Sequence, residues 1–359
     1  MVKVSNIQVD ELDFMKEINN LKNKDLQKCI QILGDKNKLK DLLPQKSKIT
    51  VSFELKETNT DIANGIRRCL KNELEIFSFD FDEYKDLDVS DAYILNDFIK
   101  KNIDLLPISQ DLEQDFKDFD KLNIELNVDN KTDNIICVTT SDVEVSYNGK
   151  KMDSGLLVNK NITICKLRPL EHIYIKNIKI VKGTGKQDGG KFNPFADNIG
   201  YKIIDVTPLD EDTNKGTSSM LANPTHFRIA YTTHRNIKNP KKMMVKCCDT
   251  LITRLSNILS DVANISNKDD YYYSDLLELE TDGNIKKLHI QGEQWTIINM
   301  ISRFCFILTK GNIKYVSPAI EHYEKNKGTI NITHPEFSKL IQSSIKKCIE
   351  ELTTIKKEF

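Results

Sequence analysis

The segment that most invites a chemical reading runs Gly183-Thr184-Gly185-Lys186-Gln187-Asp188-Gly189-Gly190-Lys191. Within it, Gly185-x4-Gly190-Lys191 has the spacing of a loop whose backbone N–H groups cradle phosphates and whose lysine reaches the outer phosphates. Phe192, however, stands where a Ser or Thr hydroxyl would be needed for Mg²⁺. Asp80-Phe81-Asp82-Glu83 offers carboxylates, but with no third ligand nearby the strand spacing reads as a solvent-facing edge. The histidines His172, His226, His234, His289, His322 and His334 are scattered and form no zinc or nucleophile constellation. Eight cysteines contain no C-x-x-C pair, so the expectation is free thiols acting as small apolar side chains, with no zinc, no cofactor and no disulfide framework. No catalytic residue emerges.

Bulk properties narrow the classes further. The 359 residues carry 52 basic and 53 acidic side chains, a net charge of −1, which argues against autonomous binding to a polyanion. No stretch approaches 18 consecutive apolar residues and no leader-like apolar run opens the chain, so neither membrane insertion nor secretion is expected.

The elements that would position these residues follow from periodicity. Leu12, Met15, Ile18 and Leu21, then Leu26, Cys29, Ile30 and Leu33, suggest two short helices in a helical N-terminal extension over residues 1–48. Residues 49–55 alternate as a strand, and Asn59-Thr60 caps a helix over 61–75 whose stripe is Ile62, Ile66, Cys69, Leu70 and Leu74. Residues 77–81 read as a strand and 91–103 as a helix. From 110 to 223, short β-like runs separated by Asn, Asp, Gly and Pro suggest an inserted, mainly β domain. Helical spacing returns over 241–265, and the polar run at 266–271 reads as a linker. A compact α+β unit over 272–359 closes the reading, with helices at 295–308 and 335–356.

Four segments carry a resemblance. Ala63-Asn64-Gly65-Ile66-Arg67-Arg68 resembles the A-N-x-x-R-R signature of the α-like subunits of multisubunit DNA-dependent RNA polymerases. Asp97-Phe98-Ile99 followed by Leu105-Leu106-Pro107-Ile108 is similar to that family's E-F-I…G-L-I-P segment, with Asn102 and Asp104 standing where the family has Arg and Gly. Lys182-Gly183-Thr184-Gly185-Lys186, with Lys191-Phe192-Asn193-Pro194, resembles the K-G-x-G-K…K-W-x-P loop of the third-subunit family. Glu293-Gln294-Trp295-Thr296-Ile297-Ile298-Asn299 resembles the E-D-H-T-L-G-N helix start of the eleventh subunit, with Trp295 and Ile298 replacing His and Gly.

The resemblance implies an α+β fold in which two α-like dimerisation units pair within one chain. The first unit would comprise 49–109 and 224–265, interrupted by the insert at 110–223, and the second 272–359. This is the pairing of the third and eleventh eukaryotic subunits, or of archaeal D and L, fused as in some large DNA viruses of eukaryotes. It implies a non-catalytic assembly platform that docks the second-largest and then the largest polymerase subunit, binds small polymerase subunits as well, and reaches DNA only through the complex. Asn64, Arg67, Arg68, Phe98, Pro107, Lys182, Lys186 and Lys191 would face other subunits. Ile66, Leu70, Thr296, Asn299 and Ile301 would pair the two units. The compartment implied is a host cytoplasmic factory and the virion for a viral chain, the nucleus otherwise. The alternative reading is a phosphate- or nucleotide-binding protein using the Gly183–Lys191 loop.

Overall fold

A computed structural model describes residues 2–12, 48–90, 96–110, 112, 116, 118–152, 156–157, 161–192, 199–205, 224–233, 239–310, 313–320 and 326–359. The fold is α+β, with five α-helices and antiparallel sheets among the described residues. No helix among them is long and apolar enough to cross a membrane.

The first sheet contains β1 (Lys3–Leu12), β2 (Lys48–Lys56), β12 (Gly200–Asp205) and β13 (His226–Thr233), in the order β1-β2-β13-β12. Alternation in β2 sends Val51, Phe53 and Leu55 to full burial. The chain then enters α1 (Thr60–Asn72), whose first free N–H groups, those of Asp61 and Ile62, donate to the Asn59 side chain at 3.0 Å each. The stripe read from the sequence is buried in full, from Ile62 through Leu74. α2 (Asn96–Asp104) follows; the start of the helix expected at 91 lies outside the described residues.

The long helix α3 (Lys241–Val262) follows β13. The second sheet orders β14 (Tyr271–Tyr273), β15 (Leu277–Asp282), β16 (Ile285–Gln291), β17 (Tyr315–Ile320) and β18 (Lys327–Thr333) as β14-β15-β16-β18-β17. Its helices are α4 (Trp295–Leu308) and α5 (Phe337–Lys357). The four helices α1, α3, α4 and α5 pack on one another between the sheets, and their stripes merge with both sheets into one apolar core. Each large side chain fully withdrawn from water there contributes about 1.5–3 kcal/mol. Cys69, Cys247, Cys248, Cys305 and Cys348 are buried in it, and burial pushes the Cys305 thiol up to about 11, far from its reactive range.

A second apolar cluster is built from β3 (Glu75–Asp80), α2 and the strands that follow. Those strands are β4 (Leu87–Val89), β5 (Leu122–Asp129), β6 (Ile136–Thr139), β7 (Val143–Tyr147), β8 (Lys150–Lys151), β9 (Thr163–Leu167), β10 (His172–Ile175) and β11 (Lys179–Thr184). A five-stranded sheet, β4-β10-β5-β7-β8, and two strand pairs, β11-β3 and β6-β9, surround it.

Three boundaries differ from the sequence reading. Residues 3–12, assigned to a helical extension, form a strand that pairs with β2, because the backbone N–H and C=O groups along the edge of β2 offer a ladder of hydrogen bonds to an extended segment. The expected helical positions from Met15 to Leu33 lie outside the described residues. Residues 75–108, grouped with the first unit, give Phe77, Phe79, Ile99, Ile103 and Leu106 to the second cluster. In the opposite sense β12, assigned to the insert, pairs with β13 in the first sheet. Periodicity reports which face is buried, not against which core.

Residues 266–270 are tied down. Lys286 Nζ donates to the carbonyls of Asn267 and Asp269 at 2.9 and 2.6 Å, and Ser338 N–H donates to Asn267 Oδ1 at 2.7 Å. A polar run exposed to water in the sequence reading thus finds its partners in β16 and α5.

Where α1 crosses α4, Gly65 removes the side chain that would separate them. A Cβ at this position would lie 2.7 Å from Met300 Sδ, inside van der Waals contact. Gly65→Leu therefore overpacks the crossing, and its chemical-denaturation midpoint should fall by the equivalent of about 1–3 kcal/mol. Gly65→Leu combined with Met300→Ala should recover part of that loss.

Candidate functional site

Charged side chains from four segments meet where α1 ends. Glu73, the C-cap of α1, is buried, as is Glu293 just before α4. Arg254 of α3 lies between them: Nε donates to Glu293 Oε1 at 2.7 Å, a second nitrogen closes a two-pronged contact with the same carboxylate, and Nη1 bonds Glu73. The planar fork of arginine suits such paired recognition. Glu73 also accepts from Thr296 Oγ1 at 2.7 Å, and Thr296 in turn accepts from Arg68 Nε at 3.1 Å. From the glycine-rich loop, Lys186 Nζ lies 3.4 Å from Glu73, and the Lys186 N–H donates to the Asn72 carbonyl at 3.1 Å.

The electrostatics of the junction favour its ionised state. Burial opposes ionisation of Glu73, yet the charges of Arg254 and Lys186, with hydrogen bonds from Thr296 and Arg254, outweigh it and hold the carboxyl below its ordinary value. For Arg254 burial works against the charge, and Glu293 and Glu73 more than offset it. An ion cluster of this kind gives little net stability over an apolar replacement, but loss of one member leaves a buried charge unpaired.

The loop itself is self-engaged. Gln187 N–H and Phe192 N–H donate to the Thr184 and Asp188 carbonyls at 2.9 Å each, while Gly190 and Lys191 N–H donate to Asp188 Oδ1 at 2.8 and 3.0 Å. Gly183 and Gly185 are needed for close approach: a Cβ would clash with the Phe192 ring in the first case and meet Asn72 Cα at 3.1 Å in the second. Lys191 does not reach outward. Its ammonium is 2.8 Å from Asp80 and 3.3 Å from Asp104, with Lys100 also 2.8 Å from Asp80. Burial raises the pKa of Asp104 against the nearby lysines; at Asp80 burial is overcome by Lys100 and Lys191 and the value falls. Asp80, read as a solvent-facing edge carboxylate, is the centre of this second ion network.

Of the residues named from sequence, Ile66, Leu70, Thr296 and Ile301 are buried on α1 and α4, with Asn299 half-buried on α4. Arg68 faces the intramolecular junction through Thr296. Arg67 donates to Asn64 Oδ1 at 3.0 Å on the half-buried side of α1. Phe98 is 64% exposed on α2, with Leu105 on the same face at 49%, and Pro107 is half-buried behind them. Lys182 and Lys186 are exposed, and Lys182 sits 4.9 Å over the Phe77 ring. Trp295, which stands where the resembling segment has His, is 42% exposed at the start of α4. The residues at 102 and 104, where the resembling family has Arg and Gly, have local partners: Asn102 Nδ2 donates to the Ile164 carbonyl at 2.8 Å, and Asp104 meets Lys191.

Arg254 and Glu73 were not singled out by sequence. A signal existed: Glu73 continues the α1 stripe after Ile66 and Leu70, and Arg254 falls three residues after Leu251 and four before Ile258. A charge on an apolar stripe announces a buried partner. Between the two cores lies a groove of about 560 Å³, lined by Glu75 and Lys182 on the strand side and by Lys246, Thr250 and Arg254 on α3. Among the described residues no group of three His, Cys, Asp or Glu side chains converges as a metal site.

No protein-family model matches the chain, and no curated protein matches it.

Arg254→Met strands two buried carboxylates and should lower stability by about 3–5 kcal/mol in urea denaturation. The depressed pKa of Glu73 has a defined sign: its stabilisation is complete above the unfolded carboxylate value, near 4.3, and is lost as pH falls through the folded value. The stability difference between wild type and Glu73→Gln should therefore be large at pH 7 and shrink progressively below about pH 4.

Proposed function

We propose that this chain is a non-catalytic assembly platform of a multisubunit DNA-dependent RNA polymerase, in which two α-like units pair within one polypeptide. The observation that carries the reading is the packing of α1 on α4. It brings the A-N-G-I-R-R segment and the E-Q-W-T segment, two of the four resembling stretches, to one junction through Arg68, Thr296, Glu73 and Glu293. A third stretch, the glycine-rich loop, reaches the same junction through Lys186.

In this reading the core of four helices is the pairing interface, and the outward surface of α2 with the loop receives the second-largest subunit, after which the largest subunit completes the cleft. Phe98 and Leu105 together expose an apolar patch that a partner subunit would cover. Small polymerase subunits are further partners, and DNA is reached only through the complex. The chain contributes geometry rather than chemistry. The phosphate-binding alternative gains nothing from the loop, whose N–H groups at 187, 190, 191 and 192 are committed to internal acceptors.

Fusion of two partners also changes the equilibrium between them. A tether giving an effective concentration near 1 mM, compared with separate partners at about 1 μM, favours pairing by about 4 kcal/mol.

Purification of the tagged chain from cells of its source should recover the two largest polymerase subunits. Phe98→Asp and Arg67→Glu should each reduce that recovery by about tenfold with an unchanged unfolding midpoint. Arg68→Glu should instead lower the midpoint, because it sets a carboxylate beside Thr296 and Glu73. A clean monomer, stabilised by added nucleotide, would sink the platform reading.

A further inference from the structure

Helix α1 is held at each end by a carboxylate contact, and the two contacts differ in charge balance. At its C-terminal end Glu73 meets Arg254 and Lys186, and these cations outweigh the cost of burial. Its N-terminal end is built otherwise. Thr58, between β2 and α1, is 6% exposed, and its Oγ1 donates at 2.9 Å to Oε2 of Glu351, which is 8% exposed on α5. Three residues on, the Asp61 side chain is mostly buried and lies 4.0 Å from Nε of Arg303 on α4. The seam between the two halves of the chain thus closes over two acidic side chains here.

Cations at this end are fewer and farther. Among the described residues no basic side chain forms an ion pair with Glu351; Lys347, one turn earlier on α5, bonds Glu350 at 2.8 Å instead. Burial raises the pKa of Glu351, and the Thr58 hydrogen bond, Lys347 and the terminal ammonium pull the other way without reversing it, while Glu350 adds to the rise. At Asp61 burial likewise prevails over Arg303 and the value goes up. Cys348, a fully buried thiol on α5, is pushed up by burial first and then by the charges of Glu351 and Asp61 among others. Both carboxylates therefore bear on one buried spot beside the Thr58–Glu351 bond.

A carboxyl whose pKa rises on folding contributes its stability in full below the unfolded value, near 4.3 for Glu and 3.9 for Asp, and loses it as pH rises through the folded value. Ionisation works against this end of α1 at neutral pH, the reverse of its effect at Glu73. Protonation of Glu351 still leaves an oxygen that accepts from Thr58.

We propose that the Thr58–Glu351 seam, with Asp61 beside it, is a proton-operated clasp: protonation tightens the hold of the second half of the chain on the start of α1, and ionisation loosens it. The clasp is a property of the chain alone and is independent of the platform reading.

The Asp61 and Ile62 amides, which donate to the Asn59 side chain, report fraying at this end of α1. Measured by amide exchange on the full chain and corrected for the intrinsic pH dependence, their protection should rise at least about threefold from pH 7 to pH 5, while that of the middle of α3 should not rise. Glu351→Gln keeps an acceptor for Thr58 and removes the charge, so it should show the high protection already at pH 7 and lose most of the pH dependence. Asp61→Asn should remove the remainder. Equal pH dependence in Glu351→Gln and wild type overturns the clasp, as does protection at Asp61 and Ile62 that falls in acid. A Glu351→Gln chain less stable than wild type at pH 7 overturns it too, because an ionised Glu351 would then be holding the seam together.

Discussion

The contact of Arg254 with two buried carboxylates fixes how the parts of this protein meet. Glu73 closes α1, Glu293 opens α4, and Arg254 belongs to α3, so a single guanidinium sets the positions of three helices. An apolar interface alone tolerates sliding by a turn, because one leucine replaces another at small cost. A buried charge with a fork of fixed geometry does not. Lys186 and the Asn72 carbonyl extend the constraint to the glycine-rich loop, and the loop carries it to β3 and α2 through Lys191, Asp80 and Asp104.

Close approach is the complementary requirement. Gly65 lets α1 settle against Met300, and Gly328 does the same for β18, where a Cβ would meet Ile298 at 2.8 Å and the Glu293 carbonyl at 2.9 Å. The same carboxylate residue is therefore gripped by Arg254 through its side chain and approached by a glycine at its backbone. The Ser266–Asp270 run, held by Lys286 and Ser338, adds a third restraint, so the two halves are joined by an ordered connection rather than a loose tether. An ordered connection leaves less chain entropy to lose than a free tether of the same length.

Much of this was legible in the residues. The α1 stripe lies where 3.6-residue spacing put it, the helices expected at 241–265, 295–308 and 335–356 are present as α3, α4 and α5, and the Asn59 cap was readable as an Asn-Thr pair before an apolar run. What escaped was long-range. The strand Lys3–Leu12 depends on β2 as a template, and the split of residues 75–108 from the first core depends on packing that no local pattern encodes. The loop lysines illustrate the same limit at the site. The resemblance implied that Lys182, Lys186 and Lys191 all face outward, whereas Lys191 is drawn inward by Asp80 and Asp104, residues 111 and 87 positions away in the chain.

The non-local character of the main core has a consequence for how the molecule forms. Thr58 bonds Glu351 across 293 residues, and the α1 stripe is covered by α3 and α4, both synthesised long after it. During translation α1 and α3 must wait with their apolar faces open. Contacts of such sequence separation slow folding and lengthen the time in which exposed stripes can meet the wrong partner. The second cluster, completed within residues 75–180, has no such wait, and it can consolidate first as a local unit from which the rest of the chain extends. The order of the elements thus favours early consolidation of the 75–180 cluster and late closure of the four-helix core.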